Sequence, residues 1–257
     1  MKQDEMILKR HLADLSKRAY MGGYYVFSDF LSPAEQALLA EGKREGLVGD
    51  YLLCGGYDSA ERRMAVFGSE SEFGYEHELP AGWLKIAPVV KIAPVAKKFA
   101  EELSHRDFLG ALMGLGITRD LLGDILLVEG EAFLFASDSI HAYLCENLTE
   151  VKHTKVSCIA VDAPPTAAVA IPDEEVFVVA GERLDAFVAG VYKLSRSESA
   201  ALIEKGLVAI DGKVTEKVSA APREGAMISV RGYGRFLYVG VCGDTRKGKL
   251  RITARVY

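Results

Sequence analysis

Apolar residues recur at helical spacing over residues 4–20, where Met6, Leu8, Leu12, Leu15 and Ala19 form one stripe, which predicts an amphipathic helix. YYVFSDF (24–30) reads as extended. At LSPAEQALLAE (31–41), Ser32 is a good N-cap, Pro33 takes the first helical position and Glu35 completes a capping box, so a second helix starts there. VGDYLLCGGYDSAERRMAVFG (48–68) gives two apolar segments separated by Gly55-Gly56, read as paired strands. Residues 1–80 are thus expected to form a small α+β domain, and the acidic stretch ESEFGYEHELPAG (70–82) reads as a linker.

A second pattern follows over residues 81–163. KIAPV occurs at 85–89 and again at 91–95, too short an echo for a structural repeat, and Pro88 and Pro94 are expected to push this strand to a sheet edge. Helical periodicity then runs to Gly116. DILLV (124–128) and AFLFA (132–136) flank EGE, Ser137 or Asp138 caps a helix through Leu148, and VKHTKVSCIAV (151–161) alternates as a strand. The order β-α-β-β-α-β is the split βαβ of ferredoxin-like domains, a topology shared with RNA-recognition motifs. No basic-aromatic stacking pattern stands out on these strands, and topology alone does not give function.

DAPPTAAVAIPDEE (162–175) reads as a second linker, and residues 176–257 as a third domain. In it ERLDAFVAGVY (182–192) is a helix with Leu184, Phe187, Val188 and Val191 on one face. Ser195 with Glu198 forms a capping box for a second helix that Gly206 ends. LVAI and KVTEKV pair across Asp211-Gly212, a strong hairpin signal, and EGAMISVRG adds a strand. FLYVGVC and LRITARVY form a closing hairpin through GDTRKGK, with Arg251, Thr253 and Arg255 on the face opposite Leu250, Ile252, Ala254 and Val256. That face reads either as plain exposed sheet or as flanked by phosphate contacts from Arg246, Lys247 and Lys249.

Charge sharpens the picture. The 257-residue chain has 31 Lys+Arg against 36 Asp+Glu, a net −5. Residues 181–257 carry 14 cations against 8 anions, which leaves 17 against 28 for residues 1–180. A local +6 beside −11 points to one domain meeting a polyanion, with a solvated basic face as the plain alternative. Length and composition suit globular domains, and no apolar run reaches membrane-spanning length. Cys54, Cys145, Cys158 and Cys242 are scattered and read as buried thiols in a reducing cytoplasm.

The blocks R-L-D (183–185), S-R (195–196), I-x-x-G-x-V (203–208), Asp211-Gly212 and V-R-G-x-G-R-F (230–236) resemble the alpha-L RNA-binding motif, which is named for a small-subunit ribosomal protein. Asp-Gly for the usual Asn-Gly, and Gly225-Ala226 for Gly-Asp, are departures that leave the fold intact. GGYDSAERRMAVFG (55–68) and ELSHRDFLGALMGLGITRDLLGDILL (102–127) extend the likeness over the whole chain, which resembles the YlmH family of bacterial proteins. That resemblance implies a cytoplasmic RNA-binding protein encoded near cell-division genes. It also implies association with the large ribosomal subunit and tRNA during rescue of stalled translation.

The expected protein is α+β, with three small domains (1–80, 81–163 and 176–257), monomeric, without cofactor, metal or catalytic residues. Its expected RNA surface is Arg183, Lys193, Ser195, Arg196, Lys205, Lys213, Arg231 and Arg235, with Arg246, Lys247, Lys249 and Arg106 as additional contacts. His105-Arg106-Asp107 echoes a kinase catalytic loop, but no glycine-rich phosphate loop or D-F-G accompanies it; a capped helix start is the better reading. Gly243 to Lys249 lacks the Ser/Thr and the following helix of a phosphate-binding loop. Glu61-Arg62-Arg63 is read as structural. An RNA-modifying enzyme with this motif appended, or a protein-binding adaptor, are the alternatives.

Overall fold

The computed structural model describes residues 2–42, 46–89, 103–246 and 248–257. Its compact units are residues 1–32 with 38–170, and residues 33–37 with 171–257. In the first, α1 (Lys2–Gly22) and the second half of α2 (Pro33–Gly42) accompany a three-stranded antiparallel sheet. Its strands are β1 (Val26–Leu31), β2 (Tyr51–Cys54) and β3 (Arg63–Phe67), in order β1-β3-β2. The stripe of α1 drives the packing: Leu12, Leu15 and Ala19 are buried with Val26, Leu31, Leu39, Ala65 and Phe67. Residues 70–82, expected as a linker, hold a one-turn helix α3 (Glu70–Phe73), an aromatic cluster and, from Ala81, the start of a strand. There Tyr25 packs edge-on against Phe73 and Tyr75 and donates its hydroxyl to the Tyr75 carbonyl at 2.8 Å.

The remainder of this unit is the expected βαββαβ. β4 (Ala81–Pro88), α4 (His105–Gly114), β5 (Leu122–Val128), β6 (Glu131–Ser137), α5 (His141–Asn147), β7 (Glu150–Val151) and β8 (Thr154–Val161) make a sheet ordered β5-β6-β4-β8-β7. The pairings are antiparallel, as ferredoxin-like topology requires. The edge position expected for the 85–89 strand is corrected: β4 is central, between β6 and β8. Pro88 is tolerated because it is the last residue of the strand, and Val89 N–H resumes pairing to the Lys155 carbonyl. Pro94 and the second KIAPV lie outside the described residues. A single 3-10 turn (Asp138–Ile140) precedes α5, which a Ser137 or Asp138 cap did not foretell.

The three-stranded sheet and the ferredoxin-like sheet are joined by buried charge. Arg62 donates Nε to the Leu122 carbonyl (2.8 Å) and Nη2 to those of Phe30 (2.8 Å) and Arg119 (2.9 Å). Asp124 accepts from Tyr57 Oη (2.8 Å) and from the Glu61 (2.6 Å) and Arg62 (3.0 Å) backbone N–H groups. Arg62 is buried and Arg63 donates to the Ala60 and Asp58 carbonyls, so the structural reading of Glu61-Arg62-Arg63 holds for the two arginines, while Glu61 is exposed. Gly56 serves the same joint: its φ is +84°, and a Cβ there would lie 2.9 Å from the Phe135 ring. Around it Phe30, Met64, Trp83, Phe133 and Phe135 make one apolar cluster.

In the second unit, β9 (Glu175–Val179), α7 (Leu184–Tyr192), α8 (Arg196–Glu204), β10 (Val208–Ile210), β11 (Lys213–Val214), β12 (Met227–Val230), β13 (Gly234–Asp244) and β14 (Leu250–Val256) follow a short α6 (Thr166–Val169) of the first unit. The six-stranded antiparallel sheet runs β11-β10-β12-β13-β14-β9. One face carries Val208, Ile228, Phe236, Tyr238 and Ile252 onto Phe187, Val188 and Ile203 of the helices. All four cysteines are free thiols; the expectation that all are buried is corrected, because Cys145 and Cys242 are exposed. No helix among the described residues is long and apolar enough to cross a membrane.

Replacing Arg62 with Met, which keeps much of the volume and removes the guanidinium, takes a buried, charged donor from the Leu122, Phe30 and Arg119 carbonyls. We expect a loss of about 3 kcal/mol, read as a Tm lowered by roughly 10 °C in thermal unfolding of the full chain.

Candidate nucleic-acid interface

The expected RNA surface begins at the junction of α7 and α8, and a carboxylate organises it. Asp185, in the first turn of α7, is 4% exposed at its side chain. Arg183 Nε donates to its Oδ1 at 2.9 Å and Arg196 Nη2 to its Oδ2 at 2.8 Å. The guanidiniums are 47% and 57% exposed, so each has an anchored edge and an edge in water. Burial pushes the Asp185 carboxyl up, but the hydrogen bonds and charges of Arg196 and Arg183 outweigh it and hold it below the usual carboxylate range.

The local sequence fixes the rest. Ser195 caps α8 through the expected box: Glu198 N–H donates to Ser195 Oγ (3.2 Å), and Ser195 N–H to Glu198 Oε2 (2.8 Å). Lys193 ends α7 in the left-handed region at φ 54°, which turns the chain sharply into α8 and leaves the lysine exposed. Ser199, fully buried, donates to the Asp185 carbonyl at 2.9 Å and ties the two helices together. Arg183, Lys193, Ser195 and Arg196 therefore form one group. Lys205, Lys213 and Arg231 gather at the other end of α8, about 13 Å along its axis. Arg231 N–H bonds the Leu207 carbonyl, and a Cβ on Gly206 would lie 3.5 Å from Val214. The Asp211-Gly212 turn has φ 48° and 77°, and Asp211 Oδ1 also accepts from Met227 N–H at 2.9 Å.

Arg235 belongs to neither group. It precedes buried Phe236 on β13, so it points from the sheet face opposite the helices, where its guanidinium lies 5.1 Å from the Tyr257 ring centre. Arg246 and Lys249 are exposed at the tip of the β13–β14 hairpin, and Lys247 lies outside the described residues. Arg106 is exposed in the first turn of α4, a capped start as expected: Asp107 accepts from Ser104 N–H (2.8 Å) and Oγ (2.6 Å). The organising Asp185 was absent from the expected site, although its place inside R-L-D, between two arginine-bearing blocks, marked it.

On the ferredoxin-like sheet, Trp83 and Phe135 are cross-strand partners and Phe133 shares their face. These aromatics were not singled out as a stacking pattern, and they are not offered to a ligand. Phe30 packs edge-on against Phe135 at 5.7 Å, Tyr57 lies 6.1 Å from Trp83, and Trp83, Phe133 and Phe135 are buried.

Residues 89–164 match the family described as the RNA-binding domain in YlmH, and residues 182–228 match the S4 domain, the alpha-L type. A relative from Bacillus subtilis (strain 168), the ribosome-associated protein quality control protein P2, is 34% identical over 230 residues, 88% of this chain and 85% of the relative. The chain belongs to the YlmH family. A solved structure, cell division protein ylmH from Streptococcus pneumoniae, is 19% identical over 65% of this chain and 95% of its own, at a TM-score of 0.48. In this chain the S4 match takes in Arg183, Lys193, Ser195, Arg196, Lys205 and Lys213 and stops before Arg231 and Arg235.

A depressed carboxylate stabilises the fold above its unfolded-state value, and the contribution is lost as pH falls through the folded value. Asp185→Asn should therefore cost about 2–3 kcal/mol at pH 7, below a fully buried pair because both guanidiniums are half exposed. The gap between parent and variant in urea unfolding should close as the pH falls below about 4.

Proposed function

We propose that this protein is a non-enzymatic, ribosome-associated RNA-binding factor that holds folded RNA on the α7–α8 side of its C-terminal unit. The carrying observation is the Arg183–Asp185–Arg196 cluster, which fixes two half-exposed guanidiniums at the start of a capped helix within the S4 match. Lys193 beside it, and Lys205, Lys213 and Arg231 at the far end of α8, extend the cationic track for phosphate contact. The N-terminus of α8 favours an anion by its dipole, and discrimination follows from RNA shape rather than base edges.

Both matched families are RNA-binding rather than catalytic, which supports a binding role over an RNA-modifying enzyme. The Bacillus subtilis relative supports ribosome association and a part in quality control of stalled translation. Within that role we place the large subunit and tRNA as targets and the cytoplasm as the site of action. The protein acts as a monomer, and modules 1–80, 81–163 and 176–257 divide the work. The link to cell division rests on the name of the Streptococcus pneumoniae protein.

Arg196→Glu would put a carboxylate beside buried Asp185 and disturb the fold along with the surface. Lys193→Gln with Lys205→Gln avoids this. Against an RNA hairpin, the double variant should bind roughly 10-fold more weakly, and its slope of log affinity on log salt should fall by about 2. A slope and affinity equal to the parent's would overturn the assignment. Cosedimentation with ribosomal subunits should be lost on deleting residues 171–257; loss only on deleting residues 1–170 would favour a protein-binding adaptor.

A further inference from the structure

We propose that the sheet face turned away from α7 and α8 is a second RNA-binding surface, so that the C-terminal unit holds two RNA segments at once. The inference rests on the RNA-binding reading above. Strand alternation and register place the residues. Phe236, Tyr238, Ile252 and Ala254 enter the core beneath the helices, so Arg235, Arg251 and Arg255 project from the other side. On that side Arg255 is the cross-strand neighbour of Leu237, Arg251 faces Gly243, and Tyr257 N–H bonds the Arg235 carbonyl. Val176 and Val178, which pair with Thr253 and Arg251, extend the face at 52% and 50% exposure.

Its chemistry suits a nucleic acid. Three guanidiniums lie on this side: Arg251 is exposed, Arg235 stacks on Tyr257, and Arg255 meets the Glu174 carboxylate at 2.8 Å. Arg251 and Arg255 are four residues apart on one strand, about 13 Å, which spreads the charge along a track instead of focusing it on one acid. The track continues into the hairpin tip. There Thr245 N–H bonds the Lys249 carbonyl at 2.7 Å and Lys249 N–H bonds Thr245 Oγ1 at 3.0 Å. That closed turn keeps Arg246 and Lys249 exposed beside Arg251. Arg235 over Tyr257, 5.1 Å from the ring centre, supplies a flat, cationic platform of the kind on which bases stack. The helix layer, about 10 Å thick, and the sheet lie between this face and the Arg183–Arg196 group. One straight RNA helix cannot lie against both.

The test is sedimentation velocity of the full chain with an excess of an RNA hairpin of about 20 base pairs. The parent should bind two hairpins per chain. Arg246→Glu with Arg251→Glu, both at exposed positions, should bind one. Lys17→Glu with Arg18→Glu, the same charge change on the exposed side of α1, should still bind two. One hairpin on the parent, two on the Arg246/Arg251 variant, or one on the α1 control would each overturn the proposal. So would saturation of the parent's second site by a polyglutamate peptide as readily as by RNA, since the face would then suit an acidic protein. The Lys193→Gln, Lys205→Gln variant separates this from the earlier reading: two hairpins retained there would remove the α8 surface and leave the outer face intact.

Discussion

Asp185 carries a negative charge in the first turn of α7 with almost no access to water, and a carboxylate in that position is tolerable only when its oxygens are met by charged donors. Arg183 and Arg196 meet them, from two residues before and eleven after. The same geometry that settles the carboxylate also immobilises the guanidiniums, which would otherwise sample many rotamers. One negative charge cancels one of the two positive charges, and the remaining charge faces outward from a fixed place. Helix packing and presentation of cations are thus one interaction here. Ser199 reinforces it by bonding the Asp185 carbonyl from within α8. A helix pair held only by Phe187, Val188 and Ile203 would be as well packed and far less definite about where its charge lies.

The N-terminal unit uses a related device for another end. Asp124 accepts three donors from residues 57–62, and Arg62 sends its own donors to three carbonyls, one on β1 and two within residues 119–122. This network closes the three-stranded sheet onto Trp83, Phe133 and Phe135. A ferredoxin-like sheet with exposed aromatics on adjacent strands is a platform for bases; with Phe30 and Tyr57 laid across it, it is an internal interface. Any RNA contact by residues 89–164 must then come from edges, loops or the helix side, where Arg106 stands exposed at the start of α4.

Local rules carried the sequence reading a long way. The Ser195–Glu198 capping box, the Asp211-Gly212 turn, the βαββαβ order and the alternation of residues 250–256 each depend on neighbours within a few positions, and each is found as expected. What escaped is long-range. The partner of Arg62 lies sixty-two residues away at Asp124, a separation no spacing rule reaches. The central place of β4 depends on which strands flank it, and Pro88 at its end gave the opposite impression. Arg235 sits among the blocks of an RNA-binding motif, yet one residue of strand parity sends it to the far side of the sheet from Arg196.

That parity also explains how an acidic chain can be read as an RNA-binding one. Exposed charges separated by more than a Debye length, about 8–10 Å at physiological salt, scarcely influence one another. The excess of acid in residues 1–180 therefore does not decide how a phosphate fares beside Arg183, Arg196 or Arg251; the groups within one screening length decide it. On the α8 side those groups include a carboxylate that is already neutralised by two partners, and on the outer face Glu174 is neutralised by Arg255. In both places a carboxylate is spent on holding an arginine in position, so its charge is already matched where a phosphate would approach.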